Sequence, residues 1–335
     1  MSNRKELSSA FIIPHYVGGY NQQKQQGQGV RKRLIIQDTI EGLFSQTDED
    51  WCAIIIIDMP PDQETYDYLT NLRKNYYPKI DVIYLKQNVG PGVSRNLGVL
   101  KALERGHKII LFNDSDDVSH PNRLEVVKKI FLENSQVDVV YSTFNVIDEN
   151  SRVTPVEKIS SPILEILESH VQNPLEGNSI WIKMGTETGI INITSSTAVR
   201  IEFAYRCPFP NERASEDFHC WLRMSAFGAN FKYTSLIPTK YRIPSFMKYQ
   251  ASRTRIGLRN FNQIKARVDS DGFSKAIEIA LARNSIKPEE MPMIKAKFYK
   301  RLAKSMRREM ENELADELLK KAMQLEYESF VYFDK

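Results

Sequence analysis

The run Ile109-Ile110-Leu111-Phe112, closed by Asn113-Asp114-Ser115-Asp116-Asp117, decides how this chain folds. An apolar run ended by acids reads as a buried strand whose carboxyl end reaches a polar rim, and in open α/β sheets that rim is where ligands bind. Three carboxylates within four residues make an oxygen-rich set suited to Mg²⁺ or Mn²⁺, ions that usually accompany phosphates. Asp and Ser also build turns and helix caps, and Ser119-His120-Pro121 reads as the start of the next helix. From this stretch alone, turn formation and metal binding stand level.

Working outward, short β-rich runs alternate with helical patterns as far as about residue 141, the signature of βαβ units in a mostly parallel sheet. Strands are predicted near Ser9–Ile13, Ala53–Ile57, Val82–Leu85, Lys108–Phe112 and Val137–Tyr141, and helices near Lys32–Ser45, Gln63–Asn75, Val93–Arg105 and Pro121–Asn134. The glycine- and glutamine-rich segment Gly18–Gly29 is too polar to pack and reads as a loop at the ligand-facing rim. Beyond residue 142 the pattern predicts a hairpin around Asp148–Ser151, a helix near Ile163–Val171, β runs at Trp181–Met184 and Gly189–Thr194, a helix over Ser215–Ala226 and a strand over Phe231–Leu236. From Arg255 the chain is helical in pattern, with Lys295–Leu325 reading as an amphipathic helix.

With 335 residues, 41% hydrophobic and 26% charged, the chain can bury a large core. A formal charge of +4 is too slight to make nucleic acid a partner. Cys52, Cys207 and Cys220 lie far apart without metal-ligand spacing, which excludes a zinc site and a disulfide framework and fits a reducing cytoplasm. The N-terminal apolar run breaks at Pro14, too short for a signal peptide, and no stretch reaches transmembrane length. The basic, amphipathic C-terminal helices leave peripheral membrane contact and pairing of two copies open as expectations.

The order of motifs resembles family 2 glycosyltransferases of the GT-A fold. The matching pieces are Phe11-Ile12-Ile13-Pro14-His15-Tyr16, Ser45-Gln46-Thr47, Ile55-Ile56-Ile57-Asp58, Asn88-Val89-Gly90-Pro91-Gly92-Val93-Ser94-Arg95-Asn96, the acidic cluster, and Ser215-Glu216-Asp217 running on to Trp221-Leu222-Arg223. The resemblance implies an α/β, Rossmann-like sheet flanked by helices. It implies a GT-A domain over 1–250, with a donor half to about 141 and an acceptor half beyond, and a helical extension over 251–335. It further implies metal-dependent, inverting transfer of a sugar from a nucleotide-diphosphate sugar, a UDP-sugar by family habit, to a hydroxyl-bearing acceptor.

Residue by residue, the resemblance puts Pro14, His15, Tyr16, Asp58, Asn88, Gly90, Arg95, Asp114 and Ser115 on the donor. Asp116, with Asp114, takes Mg²⁺ or Mn²⁺, Asp217 acts as base, and Glu216, Trp221 and Arg223 lie on the acceptor side. The residues carry their own arguments: Asp58 ends a buried run and can accept hydrogen bonds at the rim, and Gly90 and Gly92 permit close backbone approach. Arg95 at a helix start suits a phosphate or a nucleotide carbonyl, and Asp117 is expected to support the loop or cap the next helix. Two family features are missing: Met59 stands where a second acid often follows Asp58, and Ile243-Pro244 follows Tyr241-Arg242 where a metal-binding histidine often lies. A nucleotidyltransferase holding a triphosphate on the Gly18–Arg33 segment, and a non-catalytic nucleotide-sugar-binding protein, are the rival readings.

Overall fold

A computed structural model describes residues 7–16, 34–245 and 251–333, and the expected rim loop at Gly18–Gly29 lies outside them. The described strands are β1 (Ser9–His15), β2 (Trp51–Ile57), β3 (Ile80–Tyr84), β4 (Ile109–Phe112), β5 (Val139–Ile147), β6 (Thr197–Arg200) and β7 (Phe231–Arg242), forming one sheet in the order β3-β2-β1-β4-β6-β5-β7. β1 pairs in parallel with β2 and β4, β2 with β3, and β5 with β7. β6 alone runs antiparallel, between β4 and β5.

The apolar runs are continuous because both faces of the sheet are covered. Side chains alternate: Ala10 and Ile12 join Ile54, Ile56, Ile110 and Phe112 in one core, while Phe11 and Ile13 join Ala53, Ile55, Ile57 and Leu111 in the other. Helices α1 (Ile35–Phe44) and α2 (Gln63–Tyr76) close the second core, as does α4 (Arg123–Glu133). On the first core lie α3 (Pro91–Glu104), α7 (Ile201–Arg206), α8 (Glu216–Ala226), α10 (Leu258–Ala282) and α11 (Met291–Arg308). A small third cluster seats α5 (Ser161–Gln172) on Phe144 and Val146 through Ile163 and Ile166.

Three expectations are corrected. Trp181–Met184 is not a strand: Trp181–Lys183 (α6) is a helical turn that widens over Met184–Thr188, with Trp181 fully buried and 5.4 Å from Phe273. A short apolar run reads alike as a strand or a buried helix, and burial on one helical face settles it here. Gly189–Thr194 makes no ladder, because the place between β4 and β5 is taken by Thr197–Arg200. Lys295–Leu325 is two helices, α11 and α12 (Asn312–Phe333), reversed at Met310 (φ +64°). β7 also runs on to Arg242, six residues past its expected end, carrying Pro238 through a register shift opposite Ser142 and Phe144.

Candidate active site

The carboxyl ends of β1, β2 and β4 meet at one rim, where the strand order reverses between β1 and β4. A cavity of about 840 Å³ opens over it. Pro14, His15, Tyr16, Asp58, Asn88, Gly90, Arg95, Asp114, Ser115 and Asp116 line it from the rim, and Ser215, Glu216 and Asp217 line it from the start of α8. Two residues expected here are elsewhere. Trp221 lies one turn further along α8, fully buried against Phe112 (6.1 Å) and Phe209 (5.6 Å), so it is a core residue. Arg223 braces α8 away from the cavity, donating to His219 Nδ1 (3.0 Å) and to the Pro208 carbonyl.

The acidic cluster is a turn that also presents ligands, so the two readings left level above coincide. Asp117 N–H donates to the Asp114 carbonyl (3.1 Å), and Thr39 Oγ1 ties the Ser115 and Asp117 carbonyls to α1 (2.9 and 2.8 Å). Arg242, its side chain fully buried, donates through Nε to the Asp116 carbonyl (2.7 Å), through Nη2 to Asp38 Oδ2 (2.9 Å) and through its backbone N–H to Asp117 Oδ1 (2.8 Å). Asp117 is fully buried, and burial, reinforced by Asp116 and Asp114, pushes its carboxyl well above the usual carboxylate range. It supports the loop and does not cap α4, which begins four residues after Ser119 with no side-chain cap. His15 Nδ1 lies 2.8 Å from Ser115 Oγ, and burial lowers its pKa to about 4 against the pull of Asp62, so the ring is neutral.

Arg95 is committed to protein partners. Its side chain is 4% exposed, with Nη1 on Glu216 (2.8 Å) and Nη2 on Asp114 (2.7 Å), so one guanidinium joins the acidic turn to the first turn of α8. Asp58, also buried, accepts from the N–H groups of Val89 (2.6 Å) and Gly90 (2.9 Å) and thereby fixes the loop that starts α3. Gly90 needs its missing side chain for a φ of +87°. Gly92 approaches protein and not ligand: a Cβ there would stand 2.6 Å from the Pro210 carbonyl.

Asp217 is half-buried in the cavity wall. Burial, then the neighbouring Glu216, raises its carboxyl to about 7, opposed by the Phe218 N–H, Arg95 and Lys265. Ser215, two residues before Asp217, holds a left-handed φ of +60°, and Asp269 of α10 accepts its hydroxyl at 2.5 Å. The C-terminal helices, expected from the sequence as a helical extension, thus reach the site. Arg253, Thr254, Arg255 and Ile256 of α9 (Ala251–Ile256) line the cavity with Phe261 and Lys265 of α10. Helical spacing had marked their apolar face, and a cation on a cavity wall leaves the same pattern as one in water.

Comparison with solved structures places this architecture among GT-A glycosyltransferases. S. aureus TarS, solved with UDP, superposes with a TM-score of 0.53 at 14% identity over 95% of this chain and 92% of its own. GalNAc-T7, solved with UDP, GalNAc and Mn²⁺, gives a TM-score of 0.52 at 12% identity over 83% of this chain and 50% of its own. The chain belongs to glycosyl transferase family 2, whose sequence profile it matches over residues 31–200. An uncharacterized glycosyltransferase of Methanocaldococcus jannaschii is 26% identical over 234 residues, 69% of this chain and 73% of its own length.

Proposed function

We propose that the cavity binds a nucleotide-diphosphate sugar along the rim, a UDP-sugar first, and that Asp217 deprotonates an acceptor hydroxyl for in-line, inverting attack on the anomeric carbon. The observation that carries this reading is Asp217 itself: a carboxyl raised to about 7 that shares one cavity with Asp114 and Asp116. A base with a pKa near neutrality combines adequate basicity with an ionised population at working pH. The UDP in the structurally similar TarS and GalNAc-T7 supports the choice of donor.

The residues fit a divalent cation. Asp114 and Asp116 are hard oxygen donors at the rim, and their charges add to the burial that raises the Asp117 carboxyl, a field a cation relieves. Among the described residues no three His, Cys, Asp or Glu side chains converge, so the protein offers two carboxylates and leaves other positions to phosphate and water oxygens, as Mg²⁺ accepts. When bound, the ion neutralises charge on the departing diphosphate. Arg95 keeps Asp114 oriented, and Arg242 fixes the backbone of Asp116.

Asp217→Asn is expected to keep nucleotide-sugar affinity while transfer falls about 10²–10⁴-fold, the usual worth of a general base. Asp116→Ala should lose the Mg²⁺- or Mn²⁺-dependent part of donor binding, read by thermal shift across a nucleotide-sugar panel. Full transfer by Asp217→Asn removes Asp217 from the base role.

A further inference from the structure

The cations of the cavity divide into two sets. On the rim, Arg95 is spent on Asp114 and Glu216, and Arg242 on Asp38 and the acidic turn. The opposite wall carries Arg213, Arg253, Arg255 and Lys265, from the approach to α8 and from α9 and α10. Arg253 is buried and held at 3.1 Å by Glu309, the residue that follows α11, and Lys265 is held by Asp269 at 2.6 Å, so both are pre-positioned. Arg213 and Arg255 are exposed and meet no carboxylate among the described residues. Arg255 lies over the ring of Tyr16 at 5.2 Å, which stands the guanidinium beside the end of β1 and the Ser115 turn.

An exposed pair of guanidiniums backed by a buried arginine and a paired lysine, all on one cavity, matches an oxyanion better than a neutral sugar. Guanidinium presents a planar fork of donors that engages phosphate bidentately, and unpaired forks have no ion pair to break first. We propose that Arg213 and Arg255, supported by Arg253 and Lys265, form a phosphate subsite on the wall facing the acidic turn. The phosphate has two sources in a transfer reaction: the diphosphate of the donor, or a phosphate carried by the acceptor. The first source rests on the nucleotide-sugar reading above; the second does not.

Arg213→Gln and Arg255→Gln sit on exposed side chains and should fold as wild type, checked by circular dichroism. One arm titrates UDP, GDP, uridine and guanosine with Mn²⁺ by calorimetry. The other titrates glycerol 3-phosphate and N-acetylglucosamine 1-phosphate against glycerol and N-acetylglucosamine, with UDP present. Each variant should weaken a phosphate-bearing probe about tenfold, the worth of one charge-assisted hydrogen bond, and leave its phosphate-free counterpart unchanged. Arg255→Lys should recover part of the loss. Weakening confined to the diphosphates assigns the donor, and weakening confined to the glycerol or sugar phosphates assigns the acceptor. Should wild type bind neither nucleoside diphosphate yet lose sugar-phosphate affinity on substitution, the donor reading fails and the subsite stands. Equal affinities in wild type and both variants, or parallel losses for phosphate-free probes, overturn the subsite.

Discussion

Arg95 links the acidic turn to the start of α8, because one guanidinium grips both Asp114, proposed above to hold the metal, and Glu216, the neighbour of the proposed base. Its removal leaves two carboxylates facing each other with little water, and breaking a buried pair typically costs about 3–5 kcal/mol. The pH profile separates this electrostatic part from general damage. Asp217 keeps its proton below about 7 because burial and Glu216 disfavour its charge. A carboxylate in the proposed base role works ionised, so on that proposal kcat/KM should rise about tenfold per pH unit below the pKa and level off above it. Glu216→Gln removes a raising neighbour and should move that limb to lower pH. Arg95→Gln removes a lowering one and should move it to higher pH, while Lys265, Tyr241 and the Phe218 N–H remain in place. Measured with the same metal and donor, coincident limbs in all three proteins would show that Asp217 is not the group that titrates. From sequence, acids at strand and helix ends left turn, cap and ligand readings open, and the order of motifs in the resemblance is what singled out Asp114, Asp116 and Asp217, which line one cavity. The engagement of Arg95 was not legible, since nothing along the chain says that residues 95, 114 and 216 share one point.

At the scale of elements, β1 to β5 and α1 to α4 were legible because two-sided burial writes long apolar runs and one-sided burial writes helical spacing. Trp181–Thr188 was not, since its form depends on a partner about ninety residues later in sequence, Phe273 of α10, stacked on Phe298 of α11 at 4.2 Å. Gly185 shows how tight that fit is: a Cβ there would lie 1.9 Å from Cε2 of Phe273. Gly185→Ala is therefore expected to destabilise the protein by about 1–3 kcal/mol, the range for overpacking a filled core, read from a denaturant midpoint. A neutral result would mean the ring can yield. The contact of α8 with α10 matters more for activity. Asp269 is fully buried and accepts from Ser215 Oγ and Lys265 Nζ, holding the left-handed residue from which α8, the helix of Asp217, starts. Asp269→Ala should cost about 1–3 kcal/mol through the bonds it leaves unmade and should lower kcat more than it raises the KM for donor. An equal change in both constants would place Asp269 in donor binding.

The whole molecule works as two walls around one cavity, and the second wall depends on residues beyond 250. No helix among the described residues is long and apolar enough to cross a membrane. The C-terminal helices pack into the core of the sheet's first face. Ala266, Phe273, Ala276, Phe298, Leu302 and Met306 share a core with Ile54, Ile110 and Trp221, and each is nearly or fully buried. Loss of one large core side chain costs about 2–5 kcal/mol, and a folded domain has only about 5–15 kcal/mol in hand. A chain ending at residue 250 loses several at once and exposes the face of α8 that Gly272 now covers, with a Cβ of that glycine only 2.8 Å from the His219 Cα. Residues 1–250 should therefore fail to unfold cooperatively and fail to bind nucleotide sugar, although they carry every motif that marks the family. Cooperative melting of that fragment with donor affinity near wild type would make α9 to α12 an accessory layer. The arginines and lysine they present to the cavity would then act on the acceptor alone, since the donor wall would be complete without them.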